Sequence, residues 1–594
     1  MSTPADQLNN PPRIAPYHFD KFGRQVHCWI LTPSCITDPV QLNLGPPHIL
    51  PVIFVPGIMG SNLCSIPTKD QPKSVTVWRL DTSAGLPLSL LPKVKDGAGT
   101  RQQQLHPGRV TVDSRGNVPN EAAGSVGGPK QTCENTYRDR GWGEVAEGSY
   151  HTFLLWLERA LNGQGWDPMA WNDYGLREAV VGPVLQPGEK QKPYPANVRM
   201  GVQGMPEGRA DRGTHEAPLF FAELQARANY LMPVHACGYN WLDSNEVAAQ
   251  RLADRIGEIR KRYGDRCAQV LMVTHSMGGL VVRRCQQLPG IADQIAGVVH
   301  GVMPAVGAAV AYRRCKVGMS DEVSGIQGSM GSLVIGNNGR EVTAVFAQAP
   351  GALQLLPSGD YPAGWLRLTD ENGKSAMRPL PTGNDPYTEI YLRKDRWWGL
   401  VREAWLAPEG GQAITWTDYE LNLKKAGKFH AAIRNSYHPH TYVYYGADDK
   451  QPSFTNITWR MQPGLAPDGR PRPSAVSVAE LGMDGVRDDG RNPTYVGGST
   501  RIRSSGGRMW GEPGIASYNT SYWELHCDRQ DSTGDGTVPL CSGRSPLATD
   551  KRGYVHDQFQ LTGFDHEGAY HNADAQRVTL YALTKLAATA RKPA

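Results

Sequence analysis

Ser276 stands where a chain could build a nucleophile. In Val273-Thr-His-Ser-Met-Gly-Gly279 an apolar run, Gln269–Val273, leads through the serine straight into a segment of helical periodicity, Met277–Gln287. A strand that turns sharply into a helix lifts the serine Oγ clear of the backbone, and the helix N-terminus behind it favours negative charge. Strand and helix pass closely at such a turn, and Gly278 and Gly279 are small enough to allow it. The usual pattern is G-x-S-x-G; here Thr274 takes the first position. A serine in an ordinary strand–helix turn is the structural alternative.

A nucleophilic serine needs donors for the oxyanion and a base for its proton. One donor is the backbone N–H of Met277. The other belongs on a loop after an earlier strand, and Pro56-Gly-Ile-Met-Gly-Ser61 follows the apolar run Ile49–Val55. Ile58 is the candidate N–H there, with Met59 second; a plain Gly/Pro turn is the alternative. For the base, Phe564-Asp-His-Glu-Gly568 follows the last predicted strand, Phe559–Thr562, and offers His566, with His556 and His571 as neighbours. A carboxylate must hold that imidazole. Asp448 and Asp449 come directly after the predicted strand Thr441–Tyr445, a position where a sheet of this kind can present one.

These residues need a frame. Apolar runs at Ile49–Val55, Leu231–Trp241, Gln269–Val273, Ala296–Val302, Thr441–Tyr445 and Phe559–Thr562 read as strands. Ser149–Leu161, Asn245–Tyr263, Met277–Gln287 and Thr417–Arg434 read as helices. In Asn245–Tyr263 the expected buried face is Val247, Leu252, Ile256, Ile259 and Tyr263, with an Asp243/Glu246 capping pair at the start and Gly264 at the end. Strand alternating with helix predicts an α/β fold, with a mostly parallel central sheet flanked by helices. The expected division is a first core part over 1–304 with an insertion at about 65–150, a cap over 305–438, and a second core part over 439–594 with an insertion at about 450–525. Within the cap, Trp397, Trp398, Trp405 and Trp416 with Arg393 and Arg396 suit an amphipathic interfacial surface. Core packing is the equal alternative, as it is for Leu353, Leu355 and Leu356 beneath.

Composition narrows the class. Hydrophobic residues make up 40% of the 594 and charged residues 20%, enough for a large core. Gly (66) and Pro (45) are abundant, which points to many ordered loops. A net charge of +5 is too mild to argue for nucleic acid. The opening stretch has no basic and apolar signal pattern, and the best apolar run, Ala296–Tyr312, is broken by His300 and Pro304. The expectation is a chain made in the cytoplasm without a Sec signal. Ten cysteines include no C-x-x-C pair, so no zinc site is expected; no cofactor is expected either, and the need for a divalent metal stays open. Cys267 and Cys285 read as buried thiols; Cys527–Cys541 is one disulfide the spacing allows.

Together FVPGIMGSNL, GYNWLDS, THSMGGLVVRR, APGALQLLP and GDGTVP resemble the lecithin:cholesterol-acyltransferase-like and GPI-inositol-deacylase-like lipases. Among bacterial members the chain is similar to the phospholipase effectors of type VI secretion. The resemblance spans Val52 to His566 and implies an α/β-hydrolase fold acting on lipid acyl esters. It implies Asp535, in Gly534-Asp-Gly-Thr-Val-Pro539, as the acid, with Asp448 or Asp449 as rivals and a D-G turn aspartate as the bland reading. Asp535 and His566 are 31 residues apart (566 − 535), and His566 matches the base. Gly301–Gly307 stands where such lipases carry G-T-P-H-x-G; the His is absent here. The expected function is phospholipase A-type hydrolysis of membrane glycerophospholipids by a toxin delivered to a target-cell periplasm. Its expected partners are the membrane substrate, an immunity protein and a secretion spike protein. Alternatives are an acyltransferase or non-phospholipid carboxylesterase, and, of another class, an inactive hydrolase-like binding protein.

Overall fold

A computed structural model describes residues 46–81, 96–119, 137–162, 221–319, 336–466, 470–497, 499–504 and 515–593, with four short strand segments ahead of residue 46. Cys28, Cys35 and Cys133 lie outside the described residues, as do residues 1–12.

The inner strands of the central sheet form where apolar residues predominate; the last strand, at its edge, carries His556, Asp557, Gln558 and Gln560. β1 (Val52–Val55) is buried along its whole length. A one-turn π-helical stretch, Glu147–His151, leads into α1 (Thr152–Asn162). Then come β2 (Val234–Ala236), α2 (Asn245–Tyr263), β3 (Val270–His275), α3 (Gly278–Cys285) and β4 (Ile295–Gly301). After the cap region, which holds β5 (Leu366–Thr369) and α4 (Trp416–Ile433), the chain returns as β6 (Thr441–Gly446). The sheet is finished by β13 (Val555–Leu561), and α6 (Ala573–Thr589) follows it. The order is β2-β1-β3-β4-β6-β13 and every pairing is parallel. Parallel sheets are covered on both faces, which is why β1, β3 and β4 read as continuous apolar runs rather than alternating ones. α2 packs on α3, and α6 packs on α1 and β4.

α2 has the predicted span, but its details differ. Ser244, not Asp243, caps it: its Oγ accepts from Glu246 N at 3.3 Å. Gly264 ends it at φ 57°. Val247 is 53% exposed, and Ala248 takes its place on the buried face beside Leu252, Ile256, Ile259 and Tyr263.

Between β6 and β13 the chain forms β7 (Asp448–Ser453), β8 (Ile457–Pro463), α5 (Ala475–Ala479), β9 (Val486–Arg487), β10 (Thr494–Val496), β11 (Trp523–Cys527) and β12 (Ser532–Gly534). Here the two expected insertions meet: β5, from the 305–438 stretch, pairs with β8 in one sheet of order β5-β8-β11-β10-β9. The tryptophans lock the same junction. Trp397 and Trp398 are buried, and their indole N–H groups donate to the carbonyls of Val478 and Ala479 at 2.9 and 3.0 Å. The interfacial reading of these two rings is therefore corrected to core packing; Trp405, Leu353 and Leu356 are buried as well. Cys267 and Cys285 are buried thiols, and the disulfide that the spacing allows between Cys527 and Cys541 is not formed. Among the described residues no helix is long and apolar enough to cross a membrane.

Candidate active site

The turn after β3 holds Ser276 at φ 52°, a left-handed conformation that a residue with a Cβ rarely adopts. Ser276 N donates to Gly301 O at 3.0 Å, which ties the turn to β4. The close pass of strand and helix is real: a Cβ on Gly278 would lie 2.3 Å from the Val55 carbonyl oxygen. Helix α3 starts two residues after the serine, so its N-terminal N–H groups lie behind Ser276.

His566 and Asp535 reach the serine from the far end of the chain. His566 Nε2 is 2.9 Å from Ser276 Oγ, and its Nδ1 is 2.8 Å from Asp535 Oδ2. A carboxylate accepts only, so Nδ1 carries the hydrogen and Nε2 presents a lone pair to the serine hydroxyl. The main chains are joined too, His566 N donating to Asp535 O at 2.7 Å. Asp535 is 1% exposed, and its Oδ1 accepts from Thr537 N (3.0 Å) and Val538 N (2.7 Å). Three donors on two oxygens satisfy a buried charge that would otherwise be costly.

The turn Gly57–Gly60 lies against Ser276: a Cβ on Gly57 would come 3.0 Å from Ser276 Cβ. Gly60 N donates to Gly57 O at 3.1 Å, and Met59 has φ 66°, so Ile58 and Met59 are the central residues of a type II turn. Among the described residues the N–H groups of Ile58 and Met277 donate to no protein acceptor. An oxyanion site requires backbone N–H groups that are not already engaged.

The rival residues point elsewhere. Asp448 accepts from Gly563 N through Oδ2 and from Lys450 N through Oδ1, and Asp449 is exposed. His556 stacks on His440, with ring nitrogens 3.2 Å apart, and His571 is exposed at the end of a short turn.

Sequence reasoning overlooked Tyr150 and His275. His275 Nδ1 is 3.0 Å from Tyr150 Oη, and its Nε2 is 2.9 Å from the His566 carbonyl. Burial above all, and then the neighbouring His566, push the His275 ring down to about 3, so it is neutral. Next to His566, burial raises the Glu567 carboxyl, whose Oε1 accepts from Ser149 Oγ at 2.5 Å. The only signal for these contacts was a histidine directly before the nucleophile.

Ser276 is 4% exposed, so its hydroxyl lies beneath the surface. Among the described residues no group of three or more His, Cys, Asp or Glu could hold a metal ion.

No family model matches the chain, and no curated protein does. A solved structure is similar: a chain in the crystal structure of the Tle4–Tli4 complex is 28% identical, with a TM-score of 0.62. The match covers 91% of this chain and 98% of that one. The chain has an α/β-hydrolase fold. The turn after Val270–His275 and the loop after Val52–Val55 face each other at the carboxyl edge of the sheet, where ligands bind open α/β sheets.

Proposed function

We propose that this chain is a lipolytic serine hydrolase that cleaves acyl esters of membrane glycerophospholipids. The observation that carries the reading is the continuous hydrogen-bonded line Ser276–His566–Asp535, with unengaged backbone N–H groups on the two adjoining turns. His566 takes the hydroxyl proton as Ser276 Oγ attacks the ester carbonyl. Asp535 keeps the proton on Nδ1 and stabilises the imidazolium. Ile58 N–H and Met277 N–H receive the oxyanion. His566 then gives the proton to the leaving alcohol, and water, activated in the same way, releases the fatty acid from Ser276.

Similarity to a chain of the Tle4–Tli4 complex supports a narrower reading: a phospholipase A-type effector of type VI secretion, active in the periplasm of a target cell and matched by an immunity protein. A secretion spike protein is its proposed carrier.

The test is incubation of purified protein with vesicles of defined phosphatidylethanolamine and phosphatidylglycerol, with products identified by mass spectrometry. The expected products are lysophospholipid and free fatty acid. Ser276→Ala lowers their formation by about 10⁴–10⁶-fold. Near-wild-type turnover by that variant would end the serine-hydrolase reading; release of neither product would end the phospholipase one. Expression directed to the periplasm should be toxic and cytosolic expression better tolerated, whereas equal harmlessness with confirmed expression counts against the toxin reading.

A further inference from the structure

We propose that His275 and Tyr150 form a positioning relay that holds the His566 loop and the Gly57 turn in fixed relation across the nucleophile. The proposal rests on the hydrolase reading above. Tyr150 comes from the π-helical stretch before α1, and His275 is the last residue of β3.

The bonds can run in one sense only. The His566 carbonyl accepts, so the hydrogen between it and His275 is on Nε2 (2.9 Å). The buried ring is neutral, which leaves Nδ1 as an acceptor, and the Tyr150 hydroxyl must donate to it (3.0 Å). The Tyr150 oxygen in turn accepts from Gly57 N–H at 3.2 Å. Every donor and acceptor in this chain is used once, and reversing any one bond leaves two donors or two acceptors face to face.

Its two ends are the two parts of the site. At one end the His566 peptide is fixed from both sides, by its N–H on Asp535 O (2.7 Å) and by its carbonyl on His275. At the other, the peptide that donates to Tyr150 immediately precedes Ile58, the proposed oxyanion donor. Ser149, the neighbour of Tyr150, grips Glu567 beside the base, so the same turn holds the loop twice. A neutral ring suits this position. The His275 and His566 rings are 5.1 Å apart, and a second positive charge there would oppose proton uptake by the base. A Cβ on Gly57 would come within 2.9 Å of His275 Nδ1, so the turn has no room for a side chain between the relay and the serine.

The experiment is steady-state hydrolysis of a short-chain soluble ester by Tyr150→Phe, His275→Leu, His275→Gln and the Tyr150→Phe/His275→Leu double variant, with thermal unfolding of each. Tyr150→Phe removes one oxygen and leaves the ring packing in place. Glutamine can offer an amide N–H to the His566 carbonyl and an amide oxygen to Tyr150. Tyr150→Phe and His275→Leu should each lower kcat by roughly 100-fold, as misplaced catalytic groups do, with KM changed by less than about three-fold. The double variant should be no worse than His275→Leu, because the members act as a unit. His275→Gln should recover at least about ten-fold over His275→Leu. Equal losses in the Gln and Leu variants, or wild-type kcat in Tyr150→Phe while Ser276→Ala is inactive, would overturn the relay and leave the hydrolase reading standing. A wild-type protein that hydrolyses no ester would overturn both.

Discussion

Asp535 lies directly against Gly446, although 89 residues separate them (535 − 446): a Cβ on Gly446 would come 2.7 Å from Asp535 Cβ. The chain leaves the sheet at Gly446, and Asp448 pairs with Gly534 in the antiparallel β7–β12 ladder. That ladder pinches the base of the insertion shut. It returns Asp535 to the end of the strand from which Asp448 departs.

The proposed acid and base can be separated from their rivals by substitution. An amide in place of the acid favours the wrong imidazole tautomer and should cost about 10⁴-fold in turnover. Asp535→Asn should behave like His566→Ala, and the pair together should be scarcely worse than either. Asp448→Asn, Asp449→Asn, His556→Ala and His571→Ala should each retain most activity in the same assay. Loss in Asp448→Asn with none in Asp535→Asn would move the acid to the other side of the ladder.

Two glycines on consecutive helices should respond in opposite directions to alanine. Gly278→Ala forces a methyl against the Val55 carbonyl, a backbone atom that cannot swing away, and should destabilise by about 1–3 kcal/mol and lose most activity. Gly257→Ala, on α2 with nothing within 4 Å of the added carbon, should stabilise by about 0.5–1 kcal/mol. Thermal unfolding of both variants checks this; a neutral Gly278→Ala would mean that strand and helix can part at the elbow at little cost.

Trp397→Ala should destabilise the protein by about 3–5 kcal/mol, since a large buried ring is removed. It also removes the shorter of two bonds to the Val478 carbonyl, which keeps the 3.3 Å bond from Leu481 N. Activity on vesicles and on a soluble short-chain ester should fall together. A loss confined to vesicles would restore the interfacial role for this ring.

Stability should fall as the solution is acidified below neutrality. His235, His275 and His300 are buried, and desolvation, the largest cause for each, holds their rings below the ordinary histidine value. The unfolded chain takes up protons near pH 6.5 and the folded one does not, so the native state loses about 1 kcal/mol per histidine per pH unit below that point. The stability is fully present above pH 6.5 and drains away towards the folded values, about 3 for His275 and His300. Denaturant unfolding at pH 7.5, 6 and 5 measures it, and a flat profile contradicts it.

Sequence made the central sheet legible because a strand buried on both faces is an unbroken apolar run, as Val270–Val273 is. It made Ser276 legible because strand, serine and two glycines fall within seven residues. The shared cap sheet was not legible. Leu366-Arg-Leu-Thr369 is too short for its alternation to stand out, and its partner lies 91 residues on (457 − 366). Nor do tryptophan and arginine in one stretch reveal whether the rings meet lipid or a neighbouring helix. Only the partners of Trp397 and Trp398 decide that. Tyr150 was hidden because its contact with His275 spans 125 residues and joins two elements that share no pattern.

The placement of β13 beside β6 has a consequence for the order of events during synthesis. Ser276, its turn and four of the six central strands are translated before residue 302, yet His566 hangs from the loop after the last strand. At about 5–20 residues per second, the ribosome makes the serine many seconds ahead of His566. A nascent chain therefore carries an unpartnered hydroxyl until Val555–Leu561 has emerged and zipped onto Thr441–Gly446. A hydrolase with the proposed triad is inert throughout its own translation, and it arms itself only when the final strand closes the edge of the sheet.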